Sequence, residues 1–301
     1  MTAGDRDQHI FTSAHLLMTT LHEILTSPSG RPFALDITFV ADGDAKPVVV
    51  FLHGFKGFKD WGCWNLMAES FAEAGFVFVK FNCSHNGVTI DRPTEFADLE
   101  AFGHNTYSLE LADLDTVLSW LSESKSPVPA DEMDASRLAL LGHSRGGGVV
   151  LVQSSHDDRV KAVVTLAAVS NLAFMWDGNP ALELWKQTGV THILNARTGQ
   201  QMPVYIDVYE DYQSRQPQLN IADAMQRLTQ PCLLIHGDAD ASIPVQAAHQ
   251  LQAWNPAAEL LVLPGADHVF GAQNPWAEAE LPAYTQQATE SAIAFLMDVL
   301  S

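Results

Sequence analysis

Cysteine is scarce. The chain has three in 301 residues, Cys63, Cys83 and Cys232. They are odd in number, widely spaced and without metal-ligand spacing, which excludes a disulfide scaffold or a thiolate metal centre as the organising device. They read as free thiols in a reducing compartment, and a cytoplasmic location is expected. Basic residues are few as well: 16 Lys and Arg against 36 Asp and Glu leave a formal charge of −20. Such an excess favours solubility and argues against nucleic-acid or anionic-membrane partners. No apolar run approaches the ~20 residues of a membrane span, and the segment from Met1 to His9 lacks the cationic stretch and apolar core of a secretory signal. No internal repeat or low-complexity tract is present.

What the chain has in quantity is apolar sequence, 47%, ample for one large core, and a single domain over residues 1–301 with an insertion is expected. A polar arm before about Leu17 leads into rough apolar–polar alternation at 20–26 and 32–40, separated by Ser27-Pro28-Ser29-Gly30, which predicts a β-hairpin. Residues 47–53, 76–81, 138–143, 160–168, 231–236 and 259–263 are short apolar runs that read as strands buried on both faces. Helical patterns fall at 65–75, 105–122, 145–155, 245–254 and 288–300, and the alternation of the two implies parallel pairing. Residues 170–230 break the rhythm. They are rich in aromatics, contain a hairpin pattern about Arg197-Thr198-Gly199-Gln200, and are expected to cap the site.

The organising stretch is Gly142-His143-Ser144-Arg145-Gly146, where an apolar strand ends abruptly in a glycine-flanked serine. A serine at the apex of a strand-to-helix turn sits in a strained conformation, and side chains two residues to either side would strike the flanking strand and helix. The turn also puts Ser144 at a helix amino end, where free amides favour developing negative charge. This Gly-x-Ser-x-Gly pattern resembles the nucleophile elbow of the α/β-hydrolases.

A serine hydroxyl needs a histidine base and a carboxylate to orient it. In this fold the acid follows a late strand and the histidine follows the last one. Of the twelve histidines, His268 alone lies in a loop just after the final strand. His53 and His236, at strand ends, read as shaping turns, and His143 as pointing away from the nucleophile beside it. For the acid, Asp240 is preferred over Asp238, which falls where its side chain would cap its own loop, and over Asp267. The oxyanion donors expected are the backbone amides of Arg145 and of Phe55, the latter following His53-Gly54.

His53-Gly54-Phe55, Gly142-x-Ser144-x-Gly146, His236-Gly237-Asp238-Ala239-Asp240 and Asp267-His268 together resemble the α/β-hydrolase superfamily. They are most similar to its branch of dienelactone-hydrolase-like, prolyl-oligopeptidase-like and cinnamoyl (feruloyl) esterase-like proteins. The resemblance implies an α/β fold with a mostly parallel, twisted sheet of about eight strands, helices on both faces and a small inserted cap. It implies a serine esterase without metal or other cofactor, acting on small-molecule esters of short acyl or hydroxycinnamoyl acids. Trp61, Trp176, Tyr205 and Tyr209 are candidate substrate contacts. Dienelactone hydrolases proper carry cysteine where this chain has Ser144, and the peptidases carry a propeller domain that these 301 residues do not contain. Acyl transfer or peptide cleavage by the same triad, and a non-catalytic ligand-binding role, are the alternatives. Oligomeric state is open, with a homodimer among the possibilities.

Overall fold

The computed structural model describes residues 17–123 and 125–301; the arm expected before Leu17 lies outside the described residues. Alternation first generates an antiparallel pair, β1 (Leu17–Thr26) with β2 (Pro32–Ala41). β3 (Lys46–Leu52), α1 (Trp64–Glu73) and β4 (Val77–Phe81) follow, then the short α2 (Leu99–Gly103), the long α3 (Tyr107–Ser122), β5 (Met133–His143), α4 (Arg145–Ser154) and β6 (Val160–Leu166). The aromatic segment folds as α5 (Leu182–Thr188), β7 (Val190–Leu194), β8 (Gln201–Tyr205), α6 (Asp207–Ser214), α7 (Gln216–Leu219) and α8 (Ile221–Arg227). β9 (Cys232–Gly237), α9 (Gln246–Trp254), β10 (Glu259–Leu263) and α10 (Ala283–Val299) complete the chain.

The main sheet has eight strands in the order β1-β2-β4-β3-β5-β6-β9-β10. β2 meets both its neighbours antiparallel, and every pairing from β4 to β10 is parallel. This is the α/β-hydrolase arrangement. The two-residue period of a strand divides each apolar run between two cores. Val48, Val50 and Leu52 point into the layer built by α3, α4, α8 and α9. Val49 and Phe51 point to the other face, against Trp64, Met67 and Phe71 of α1 and Ala288, Ala292 and Leu296 of α10.

The segment 170–230 divides physically. Ile221, Ala224 and Met225 of α8 are buried in the helical layer on the sheet. The β7–β8 pair forms a separate two-stranded sheet. α10 begins five residues before the apolar pattern at 288 suggests, because Thr285, which opens its buried face, donates from Oγ1 to the Phe270 carbonyl at 2.9 Å. α3 buries Glu110 and Asp113 along with Leu114, Val117, Leu118 and Leu121, while Leu109 and Ala112 are only half-buried. No helix among the described residues is long and apolar enough to cross a membrane.

Candidate active site

β5 runs straight into the turn, and Ser144 adopts φ 56° and ψ −119° between that strand and α4. The glycines around it are there for lack of room. A Cβ on Gly142 would lie 2.5 Å from the Gly146 carbonyl oxygen, and one on Gly146 would lie 2.4 Å from the oxygen of His53. Such approaches to backbone atoms cannot be relieved by a rotamer change. The Ser144 amide donates to Leu166 of β6 at 2.8 Å, tying the turn to the neighbouring strand. The other described non-glycine residues with positive φ are Lys56, Ala167 and Phe270. Lys56 follows β3, Ala167 follows β6 and Phe270 stands two residues beyond His268. Backbone strain is thus concentrated along one edge of the sheet, as at sites whose geometry the surrounding fold dictates.

Ser144 Oγ lies 3.0 Å from His268 Nε2, and His268 Nδ1 lies 2.7 Å from Asp240 Oδ2. The other Asp240 oxygen accepts the amides of Ser242 and Ile243, both at 2.8 Å. Burial pushes the Asp240 carboxyl up, but hydrogen bonds from His236, His268 and the Ile243 amide outweigh it, holding the group well below the usual carboxylate range. Asp238 instead accepts the Gly265 amide at 2.7 Å, and Asp267 accepts the amides of Val269 and Gly271. Asp267 staples its own loop, whereas Asp238, expected to cap its own, instead ties it to the loop that carries His268; neither hydrogen-bonds the His268 ring.

The remaining strand-end histidines also have partners. His53 contacts the Gly54 carbonyl through Nδ1 at 2.9 Å, while its Nε2 receives the Cys83 amide and Asn86 Nδ2. Burial pushes its pKa down to about 4, so it is neutral. His236 donates to the Ile243 carbonyl at 2.8 Å. His143 donates from Nε2 to the His268 carbonyl at 2.9 Å, and burial, helped by His268, pushes it down to about 3. Its ring nonetheless forms part of the cavity wall beside Ser144, so the expectation that it points away is corrected. The carbonyl of His268 turns the ring toward that wall.

The amides of Phe55 and Arg145 donate to no backbone acceptor among the described residues and flank the serine from the β3 exit loop and the first residue of α4. The Arg145 side chain does something the sequence did not suggest. It is buried, pairs with Glu110 of α3, and places its guanidinium 4.6 Å from the centre of the Phe55 ring. Glu110 in turn accepts from Asn105 Nδ2 at 2.9 Å. The two residues that offer amides are thereby packed against each other. The available signal was a carboxylate on the buried stripe of an amphipathic helix, but nothing local says which cation answers it 35 residues later.

A cavity of about 260 Å³ opens onto Ser144 and His268. Its wall includes Gly54, Phe55 and Lys56, the indoles of Trp61 and Trp64, Val269, and Asn195, Ala196 and Arg197 from the β7–β8 turn. Of the four aromatic candidates, Trp61 alone belongs to this wall. Trp176 is buried against Tyr107, Trp185, Tyr209 and Tyr212. Tyr209 packs in that cluster and beneath the Lys186 ammonium. Tyr205 stacks on His104 at 4.1 Å and donates to Glu100 at 2.8 Å. These three hold the inserted segment to the body, because large aromatics gain more from a shared apolar cluster than from an open cleft. Among the described residues no group of three or more His, Cys, Asp and Glu is placed to hold a metal.

Fold and constellation together define a protein of the α/β-hydrolase class. The sequence pattern of the prolyl oligopeptidase family matches residues 66–291, and the chain belongs to that family. A Bacillus subtilis protein described as a candidate esterase, YitV, is 30% identical over 72% of this chain and 77% of its own length. A Salmonella typhimurium protein described as a candidate carboxymethylenebutenolidase is 28% identical over 60% of this chain and 53% of its own. With several other curated relatives the match spans about half of the relative's length or less. Among solved structures, Est1E from Butyrivibrio proteoclasticus superposes with a TM-score of 0.66 over 93% of this chain and 98% of that one, at 17% identity.

Proposed function

We propose that the protein hydrolyses carboxylic esters through an acyl-enzyme on Ser144. The observation that carries this reading is the continuous hydrogen-bonded line from Ser144 Oγ through both nitrogens of His268 to Asp240. His268 Nε2 takes the serine proton as Oγ adds to the ester carbonyl. The amides of Phe55 and Arg145 receive the oxyanion. Collapse expels the alcohol, which carries away the proton from His268, and the same nitrogen then activates water to release the acid. Asp240 keeps the proton on Nδ1 and stabilises the imidazolium that forms. The side of the cavity at buried Ser144, walled by Phe55, Trp61 and Trp64, suits a short aliphatic or aromatic acyl group. The segment 170–230 serves as a cap through its Asn195–Arg197 turn. The solved complex of Est1E with ferulic acid makes methyl ferulate a reasonable member of a substrate panel, and the family name makes peptide amides another.

The decisive experiment is turnover of acetyl to octanoyl p-nitrophenyl esters, methyl ferulate and a dipeptide amide by wild type and Ser144→Ala. Ester turnover that vanishes in the variant supports the reading. Amide turnover alone, or ester turnover that survives in Ser144→Ala, overturns it.

A further inference from the structure

The cavity wall holds two cations and no carboxylate. Lys56 comes from the β3 exit loop and Arg197 from the β7–β8 turn. Among the described residues neither has an ion-pair partner, and the hydrogen bond that Arg197 makes to its turn is from its backbone amide to Asn195 Oδ1. Lys56 is half-buried and Arg197 exposed, whereas the fully buried cations elsewhere are matched: Lys59 and Lys80 share Asp36 and Asp60, Lys46 has Glu132, and Arg145 has Glu110. In a chain with 36 acidic and 16 basic residues, two unmatched cations facing one small cavity are contrary to the composition. His143, on the same wall, is neutral. Lys56 also sits at φ 57°, where a glycine would serve the turn without strain. At half-buried Lys56 the charge acts over a lower effective dielectric than at the open surface, and the guanidinium fork of exposed Arg197 matches a carboxylate in shape.

Resting on the ester-hydrolase reading, we infer that the site selects esters bearing a free carboxylate, with Arg197 and Lys56 holding that group while the ester carbonyl meets Ser144. The substrate class is the half-ester of a small dicarboxylic acid or an ester with a carboxylate of similar reach. The turn of the inserted hairpin then contributes recognition as well as cover.

The test compares p-nitrophenyl hydrogen glutarate with p-nitrophenyl valerate, equal in acyl length and different in charge. The readout is the ratio of their kcat/KM values, in wild type, Lys56→Gln, Arg197→Gln, Arg197→Lys and the double Gln variant. The wild-type ratio should exceed one by roughly tenfold, each Gln variant should lower it about threefold, the double should bring it near one, and Arg197→Lys should keep part of it. A wild-type ratio at or below one, or a ratio unchanged in the double variant, overturns the inference. Should wild type turn over neither ester, the ester reading fails separately, and charge selection is read from binding. Quenching of indole fluorescence in Ser144→Ala then compares monomethyl glutarate with dimethyl glutarate. Tighter binding of the half-ester, lost in the added double Gln variant, supports selection; equal affinity overturns it.

Discussion

The floor of the cavity and its overhanging hairpin use glycine in opposite ways. Supporting that floor from behind, Gly142, Gly146 and Gly237 leave so little space that an added Cβ would lie 2.5, 2.4 and 2.1 Å from a backbone oxygen. In the inserted segment, Gly178, Gly189 and Gly199 have positive φ and nothing within 4 Å of such an atom. The floor is fixed by backbone packed on backbone, so each residue type is dictated and any change is felt by the reacting atoms. The hairpin needs only local turn geometry and is free to vary the side chains it presents. On the proposed function, reaction type is set in the first region; on the inferred carboxylate preference, selectivity is set in the second.

The largest test of that contrast lies within the floor. Asp240→Asn removes the acceptor that fixes the His268 tautomer, and kcat for ester hydrolysis should fall by about 10⁴-fold. Asp238→Asn, which touches only the Gly265 amide, should stay within about threefold. Equal losses in steady-state assays would remove Asp240 from its role. Next, Gly146→Ala should cost at least about 3 kcal/mol in urea unfolding, since the clash is with backbone.

A smaller effect comes from acid. Buried His53 and His143 hold pKa values of about 4 and about 3 against 6.5 in the unfolded chain. Below pH 6.5 the unfolded chain binds protons that the folded chain refuses. Stability is therefore full above that pH and declines as pH falls toward 4, by up to about 1.4 kcal/mol per unit for each histidine. The Tm of His53→Gln should fall less steeply over that interval than that of wild type; parallel slopes would mean that His53 is protonated in the fold. Smallest, Gly199→Ala should cost about 1–2 kcal/mol of turn strain. A loss matching Gly146→Ala would erase the distinction between floor and hairpin.

The same contrast explains what could be read in advance. The elbow, the acid loop and the histidine loop are local patterns at strand ends, where tight packing leaves few residue choices, and the strands themselves are short apolar runs with clear punctuation. Strand order was not legible, because β4 lying between β2 and β3 depends on which faces the helices cover. The Arg145–Glu110 pair was hidden by 35 residues of separation. Trp176, Tyr205 and Tyr209 were misplaced toward the cavity because an aromatic residue looks the same in sequence whether it meets a ligand or its own neighbours. Of the wall residues, Arg197 lies in a hairpin pattern legible in the sequence, while Lys56 and Trp64 lie between a strand and a helix without a local mark, and exposure toward one space is a tertiary property.

The hydrogen bond between Ser144 and His268 joins residues 124 positions apart, and the one from His143 to the His268 carbonyl spans 125. Closing so long a loop carries a large entropic cost, and it requires β6, the inserted segment, β9 and β10 to be in place between the two ends. On the proposed mechanism Ser144 is translated well before the histidine that would serve as its base, so the serine should stay unreactive until His268 is in place. Recovery of turnover during refolding would date the last event of assembly rather than the collapse of the core.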